Sequence, residues 1–190
     1  MAMATGAANE TNSAIEKLLS EVEPPAISNA GNLGAANRTD LEALRRDLKT
    51  AEANAATSLP LYIAVLKAER DDVENYALSL RPGKDTISRL MDNVDKRHAA
   101  IAAFIARLLA ARADLYRAYG NYVAFLIREF GTYKVVQGEF IFPFQHTVDS
   151  YNVAAHAMTV AAKRVGELEE ERKTLMQAQQ QAWEQFVNGR

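Results

Sequence analysis

Histidines and carboxylates are the residues best suited to chemistry in this chain, which has three histidines and no cysteine. Asp95-x-x-His98 places a carboxylate and an imidazole on one helix face, as the Glu-x-x-His element of di-iron bundles does. A di-iron site needs a second such element and two further glutamates, and the sequence has no second copy. We therefore predict no metal site, and we expect His98 to be a surface or seam histidine paired with Asp95.

A second group, His146, Asp149 and Asn152, would share one helix face and imitate part of a hydrolytic site. Ser150 would point away from that face. The sequence contains no Gly-x-Ser-x-Gly elbow, phosphate-binding glycine loop or dinucleotide fingerprint. We therefore expect His146 and Asp149 to act as a helix cap and a first-turn charge, and we predict a protein with neither enzymatic activity nor cofactor.

Composition excludes several classes of protein. The 22 Lys and Arg against 24 Asp and Glu give a net charge of −2, so the chain lacks the basic footprint of a nucleic-acid binder. Without cysteine, disulfides and thiolate metal sites are excluded. The longest apolar stretch, residues 99–106, is far shorter than the roughly 20 residues of a membrane-spanning helix. We also expect no secretory signal, because the N-terminus has no charged region followed by an apolar one.

Residues 84–130 carry a local excess of positive charge, with eight basic and five acidic side chains. Such a surface suits an acidic partner or lipid headgroups. We expect instead that Arg107 and Arg112 extend along the apolar stripe and pair with acids of neighbouring helices.

The elements that must position these residues are long helices preceded by an arm. Residues 1–37 are rich in Ala, Asn, Gly and Ser, which predicts a flexible arm with a short helix around Leu18 that stops at Pro24-Pro25. We expect removal of this arm to change the melting temperature by only a few degrees. Residues 38–190 form the predicted helical bundle domain.

Two long helices follow the arm. Thr39 and Glu42 match a capping box, which predicts a helix start, and Pro60 must kink or split that helix because it lacks an amide donor. The next helix follows Gly83 and reaches about Phe130, with an apolar stripe wide enough to contact two partners. It is therefore the predicted centre of the bundle.

The helical period stops after residue 131. Two β-rich runs, 132–136 and 139–142, flank Gln137-Gly138, which predicts a small β-hairpin. A third long helix then covers about residues 146–187. The sequence thus predicts an all-α fold: an elongated antiparallel three-helix bundle, up-down-up, with a small β-hairpin between the last two long helices.

The hairpin is unusually apolar for the end of a rod. Phe140, Ile141 and Phe142 are consecutive, and consecutive strand residues point to opposite faces, so both faces cannot easily be buried. An exposed patch would mark a protein or membrane contact, whereas a tip folded over the helix ends would hide it. The candidate interaction residues are Val135, Val136, Phe140, Ile141, Phe142 and Phe144.

The C-terminal third carries a family resemblance. The run 131–143, the pair Tyr151-Asn152 and the late Trp183 resemble the C-terminal part of the YiaF family of uncharacterised enterobacterial lipoproteins, over roughly residues 120–187. The resemblance implies a helical envelope protein that faces the periplasm and is tethered by lipid through an N-terminal cysteine. This chain has no cysteine. Either the signal and anchor are absent from the sequence, or the chain is a soluble relative, for which a cytoplasmic location stays open.

Two functional hypotheses follow. The leading one is a non-enzymatic envelope or scaffold protein whose long faces and apolar tip contact a protein partner. The alternative is a membrane-perturbing helical protein similar to α-pore-forming toxins, with residues 132–144 as the apolar tongue, although such tongues are generally longer and more continuously apolar. Neither hypothesis involves nucleic acid, and the wide stripe of the central helix is also compatible with a homo-oligomer.

Overall fold

The computed structural model describes residues 2–22, 32–81 and 83–187, and within these ranges the chain is mostly helical. Two three-residue strands form an antiparallel hairpin before the last helix. The elements are α1 Ala2–Val22, α2 Arg38–Thr57, α3 Leu59–Ser79, α4 Lys84–Arg128, β1 Lys134–Val136, β2 Glu139–Ile141 and α5 Gln145–Val187. The predicted helical fold with a small β-hairpin between the last two long helices is confirmed.

The central helix is α4, as its wide apolar stripe predicted. Its antiparallel neighbour is the pair α2 and α3, because Glu52 of α2 pairs with Arg117 and Arg70 of α3 pairs with Asp95. On another face α4 packs against α5, which runs back along it. Side chains of α4 are therefore buried on two sides, which accounts for the width of its stripe.

Helix α2 begins earlier than the sequence pattern predicted. Asn37, in an extended conformation, is its N-cap: Asn37 Oδ1 accepts from Asp40 N at 3.0 Å, and Asn37 N donates to Asp40 Oδ2 at 3.1 Å. The proposed capping box of Thr39 and Glu42 is therefore wrong. Glu42 instead accepts a hydrogen bond from Arg38 Nε at 3.0 Å, one turn away on the helix surface.

The predicted break at Pro60 is confirmed. Helix α2 ends at Thr57, and α3 begins at Leu59 with Pro60 in its first turn, where a missing amide proton is tolerated. Ser58 N donates to Asn54 O at 3.0 Å and completes the last turn of α2. The chain thus continues past the break in nearly the same direction along α4.

The predicted count of three bundle helices is wrong, because α1 also packs into the molecule. It lies against α3 and buries Leu19 and Val22 in the main core. Arg112 Nη1 donates to Leu19 O at 3.0 Å, and Asn54 Nδ2 donates to Val22 O at 3.3 Å. The prolines predicted to stop this helix lie outside the described residues, and the division of the chain at residue 37 stays a prediction.

The hairpin turns as predicted at Gln137-Gly138, where both residues have positive φ, 53° and 86°. A two-residue turn of this kind matches the twist of the strands. The loop before α2 packs against the hairpin. A Cβ on Gly34 would lie 2.8 Å from Val135 Cγ1, so any larger residue here would require the Val135 side chain to shift.

Candidate functional site

The inner face of the hairpin is held by a cluster of aromatic rings. Phe142 packs between α4 and α5, with ring centroids 5.6 Å from Phe125 and 5.1 Å from Tyr151. Phe140 lies 5.1 Å from Tyr133 and 5.7 Å from Tyr151. These separations and their tilted or edge-on angles are typical of stabilising aromatic pairs. The cluster joins the hairpin to both long helices.

The polar ends of this cluster are also paired. The Tyr122 and Tyr151 hydroxyls lie 3.2 Å apart and form a hydrogen bond between α4 and α5. Burial raises the pKa of Tyr122 well above its usual value, and the hydrogen bond to Tyr151 adds to the effect. Tyr122 is therefore a neutral phenol at physiological pH. Its hydroxyl joins α4 to α5 through the hydrogen bond with Tyr151.

The outer face of the hairpin is open to solvent. Val136 is 54% exposed, Ile141 is 50% exposed, and Phe144, just beyond β2, is 61% exposed. In the strand register Lys134 lies opposite Ile141 and Val136 lies opposite Glu139. The exposed apolar side chains thus alternate with one basic and one acidic residue.

The six predicted interaction residues therefore divide into two groups. Val135, Phe140 and Phe142 face inward and are half-buried or buried, while Val136, Ile141 and Phe144 are exposed. The exposure of Ile141 agrees with the argument that one strand cannot bury both its faces. The role of any of these residues as a contact stays a prediction.

His98 lies in a seam between α3 and α4, but its partner is not the predicted Asp95. His98 Nε2 lies 3.2 Å from Glu69 Oε2, and Arg97 forms an ion pair with the same buried carboxylate. Asp95, which is half-exposed, accepts from Arg70 Nε at 2.7 Å. The side chain of His98 faces α3, whereas Asp95 lies at the rim of the seam. Sequence reasoning missed Glu69, because a lone acid on a helix carries no sign of burial.

The candidate groups for metal or hydrolytic chemistry, as far as the structure describes them, are engaged with other partners. Within the described part of the chain, no group of three or more His, Cys, Asp or Glu is placed to hold a metal ion. Ser150 donates its hydroxyl proton to His146 O at 2.9 Å, and Asp149 accepts from Gln145 at 2.9 Å. His146 stacks on Phe144 instead of approaching a nucleophile.

The predicted pairing of the α4 arginines with neighbouring acids is confirmed. Arg107 Nη2 lies 2.5 Å from Glu171 Oε1, and Arg112 Nη2 lies 2.6 Å from Glu169 Oε1. Both acids belong to α5. These two arginines therefore bridge helices and are not available to an acidic ligand in this arrangement.

A mostly apolar cleft of about 120 Å³ lies where α1, α4 and α5 meet. Phe104 and Leu175 are among its walls, and Glu16 and Arg172 form an ion pair beside them. In α3, the Tyr62 hydroxyl is buried without a hydrogen-bond partner among the described residues. Burial raises the pKa of Tyr62 to about 12. Sequence composition does not reveal this cleft, because it predicts a flexible arm where α1 packs.

None of the helices, as far as the structure describes them, is both long and apolar enough to cross a membrane. A scan against family models and searches of curated proteins and solved structures found no match to this chain.

Proposed function

We propose that this chain is a non-enzymatic scaffold protein that binds a protein partner through its hairpin patch, defined as Val136, Ile141 and Phe144. The observation that supports this proposal is the contrast between the two faces of one hairpin. Its inner face is clasped by aromatic rings, while its outer face presents three large apolar side chains to solvent. Exposed apolar patches of this kind are typical of interaction sites.

The rigidity of the hairpin supports a role in binding. Phe140 and Phe142 anchor β2 to α5, and Val135 of β1 is held against Gly34. A preformed patch loses little conformational entropy when a partner binds, so a small apolar surface contributes more to the affinity. The anchored residues support the patch and need not touch the partner.

The charges around the patch favour a protein over a lipid surface. Lys134 and Glu139 flank Ile141 and Val136, and the two opposite charges suit the mixed polar rim of a protein interface. The strands are three residues long and one face is used for packing, so the pore-forming alternative has little free tongue. Membrane binding by the hairpin is therefore an outcome to be tested, as is binding to a second copy of the chain.

The place of this scaffold in the cell is part of the proposal. The resemblance of residues 120–187 to the YiaF family supports a location in the bacterial envelope. A scaffold there needs neither cofactor nor nucleic acid, and we propose none for this chain.

Site-specific photo-crosslinking tests the proposal. A photoreactive residue is placed at Val136 in the full chain, expressed in its native host, with Val160 as the matched control. Both valines are 54% exposed, but Val160 lies on the outer surface of α5. We expect a discrete protein adduct from position 136 that is absent from position 160 and is lost on Ile141→Ser. A surface substitution of this kind should cost less than about 1 kcal/mol of stability.

Three outcomes would contradict the proposal. Adducts of equal yield from both positions would mean that protein partners contact the hairpin patch no more than the control surface of α5. Crosslinking of position 136 to lipid would support the membrane-perturbing hypothesis in place of a protein contact. An adduct of twice the chain mass, with a matching dimer in sedimentation, would identify self-association in place of a separate partner.

A further inference from the structure

The end of the molecule opposite the hairpin also exposes large apolar side chains. The chain reverses between α3 and α4, and Leu78, Leu80 and Leu90 are 52%, 63% and 41% exposed there. Each lies within about two helical turns of the reversal. The hairpin follows the other end of α4, a helix of 45 residues, so the two apolar ends are roughly 65 Å apart.

This reversal is also positively charged. Arg81, Lys84 and Arg89 are exposed, and Asp85 is the single acid between residues 78 and 90, which gives a local charge of +2. Within the described residues, none of these three cations takes part in an ion pair or a side-chain hydrogen bond. Later arginines of α4 are paired instead: Arg97, Arg107, Arg112, Arg117 and Arg128. The reversal thus keeps its cations free in a chain whose net charge is −2.

We propose that this distal tip, defined as Leu78, Leu80, Leu90, Arg81, Lys84 and Arg89, binds the surface of an anionic lipid bilayer. Leucines buried at the level of the headgroups remove apolar area from water, and neighbouring Arg and Lys side chains attract lipid phosphates. The charge distinguishes this end from the hairpin patch, where Lys134 is balanced by Glu139. The inference is independent of the proposed protein contact, since it uses other residues at the other end.

The tight geometry of the reversal helps to present these side chains. Arg81 has a φ of +52°, and its amide donates to Leu78 O at 3.1 Å, so the chain turns directly after Leu80. The peptide following Leu80 cannot continue α3 with this φ. Leu80 is therefore held at the extremity of the two-helix hairpin, next to the free Arg81.

Co-sedimentation of the full chain with vesicles tests the proposal. One set of vesicles is phosphatidylcholine alone, and the other is an equimolar mixture with phosphatidylglycerol. We expect binding to the anionic vesicles that weakens in high salt, because screening shortens the reach of surface charges. The triple variant Arg81→Gln, Lys84→Gln and Arg89→Gln should lose affinity by about fivefold for each cation removed.

A matched variant separates local charge from net charge. Arg45, Arg46 and Lys49 of α2 are also exposed and take part in no described ion pair, and replacing all three by Gln changes the net charge equally. This control should bind anionic vesicles nearly as well as the wild-type chain. Leu80→Ser should weaken binding, whereas Val153→Ser, at an exposed valine of α5, should not. Circular dichroism and thermal melts confirm that each variant is folded.

The proposal is overturned if the wild-type chain binds neither kind of vesicle. It is also overturned if the two charge variants lose affinity equally, because the effect would then follow net charge. If Ile141→Ser abolishes vesicle binding while Leu80→Ser leaves it unchanged, the lipid contact lies at the hairpin and the proposed protein contact fails with it. Loss of vesicle binding in the tip variants alone supports the inference and leaves the hairpin proposal unaffected.

Discussion

The seams on the two halves of α4 are built from different chemistry. At the hairpin end, α4, α5 and β2 meet through rings such as Phe125, Phe142 and Tyr151. Along α3 the seam contains the buried carboxylate Glu69 with His98 and Arg97. Apolar contacts are non-directional and tolerate many registers, whereas a buried ion cluster is costly to desolvate and is satisfied in one register. We therefore expect the ionic seam to fix the register of α3 against α4, which aromatic contacts alone would leave less constrained.

Helix α1 adds to this contrast because it packs mainly on α3 in the distal half and meets α2 near the end of that helix. It packs on α3 and extends that region from three helices to four: α1, α3, α4 and α5. The hairpin half has α2, α4 and α5 with the hairpin over their ends. The distal half therefore depends more on the N-terminal helix than the hairpin half does.

The largest effect is expected from deleting residues 1–22. The deletion removes the buried Leu19 and Val22 and uncovers the apolar side chains of the core cluster that they share, so the free energy of unfolding should fall by about 5 kcal/mol. This reverses the expectation from composition that the arm is dispensable. Hydrogen exchange should show loss of protection in α3 with retained protection around Tyr122. A control with the exposed Ser13 and Ser20 changed to Ala should lie within about 0.5 kcal/mol of wild type.

The next largest effect tests the aromatic clasp. Phe142→Ala should cost about 4 kcal/mol in urea denaturation, because it opens a cavity between Phe125 and Tyr151. Phe144→Ala, two residues away and 61% exposed, should cost less than about 0.5 kcal/mol. Similar costs for the two variants would mean that the hairpin is not anchored by its inner face.

The ionic seam offers a matched pair of acids across α3 and α4. Glu69→Ala leaves the buried His98 without its partner, whereas Arg97, which is 40% exposed, can turn to solvent, so the cost should be about 2 kcal/mol. Asp95→Ala breaks a pair with Arg70 that is substantially exposed, so its cost should stay below about 1 kcal/mol. Equal costs by thermal unfolding would contradict the assignment of Glu69 as the buried centre of the seam.

The smallest effect compares one tyrosine from each half. Tyr62→Phe removes a buried hydroxyl that has no described partner and should stabilise the protein by about 1 kcal/mol. Tyr122→Phe breaks the hydrogen bond to Tyr151 and should destabilise it by about the same amount. If both variants changed the stability in the same direction, the Tyr62 hydroxyl would not be unpaired or the Tyr122 hydroxyl would not be stabilised by Tyr151.

Stability at alkaline pH tests the burial of the Tyr62 hydroxyl by a second measurement. Tyr62 ionises near pH 10 when unfolded, and burial raises its pKa in the folded protein to about 12. Between these values the unfolded state binds fewer protons, so stability falls as pH rises, by at most about 1.4 kcal/mol per pH unit from this group. Tyr62→Phe should lose less stability than wild type over that window in denaturant titrations.

Several elements could be predicted because their causes are local. Pro60 lacks an amide proton, so it must kink or split a continuous helix whatever packs around it. Gln137-Gly138 allows the positive φ values of a tight hairpin turn, since glycine has no Cβ to clash. The width of the apolar stripe on α4 likewise predicted two sides of contact, because burial follows helical periodicity.

Other features were decided only by tertiary structure. The partner of His98 is Glu69, because the alignment of α3 with α4 brings them together, and no spacing within α4 contains that information. The burial of Leu19 depends on helices far along the chain, whereas the Ala, Asn, Gly and Ser content of residues 1–37 by itself predicts a flexible arm. Leu80 lies at the turn between α3 and α4, and its exposure depends on whether another helix of the folded protein covers that turn. Local geometry is set by each residue and its neighbours, whereas burial and pairing are set by segments that meet only in the folded protein.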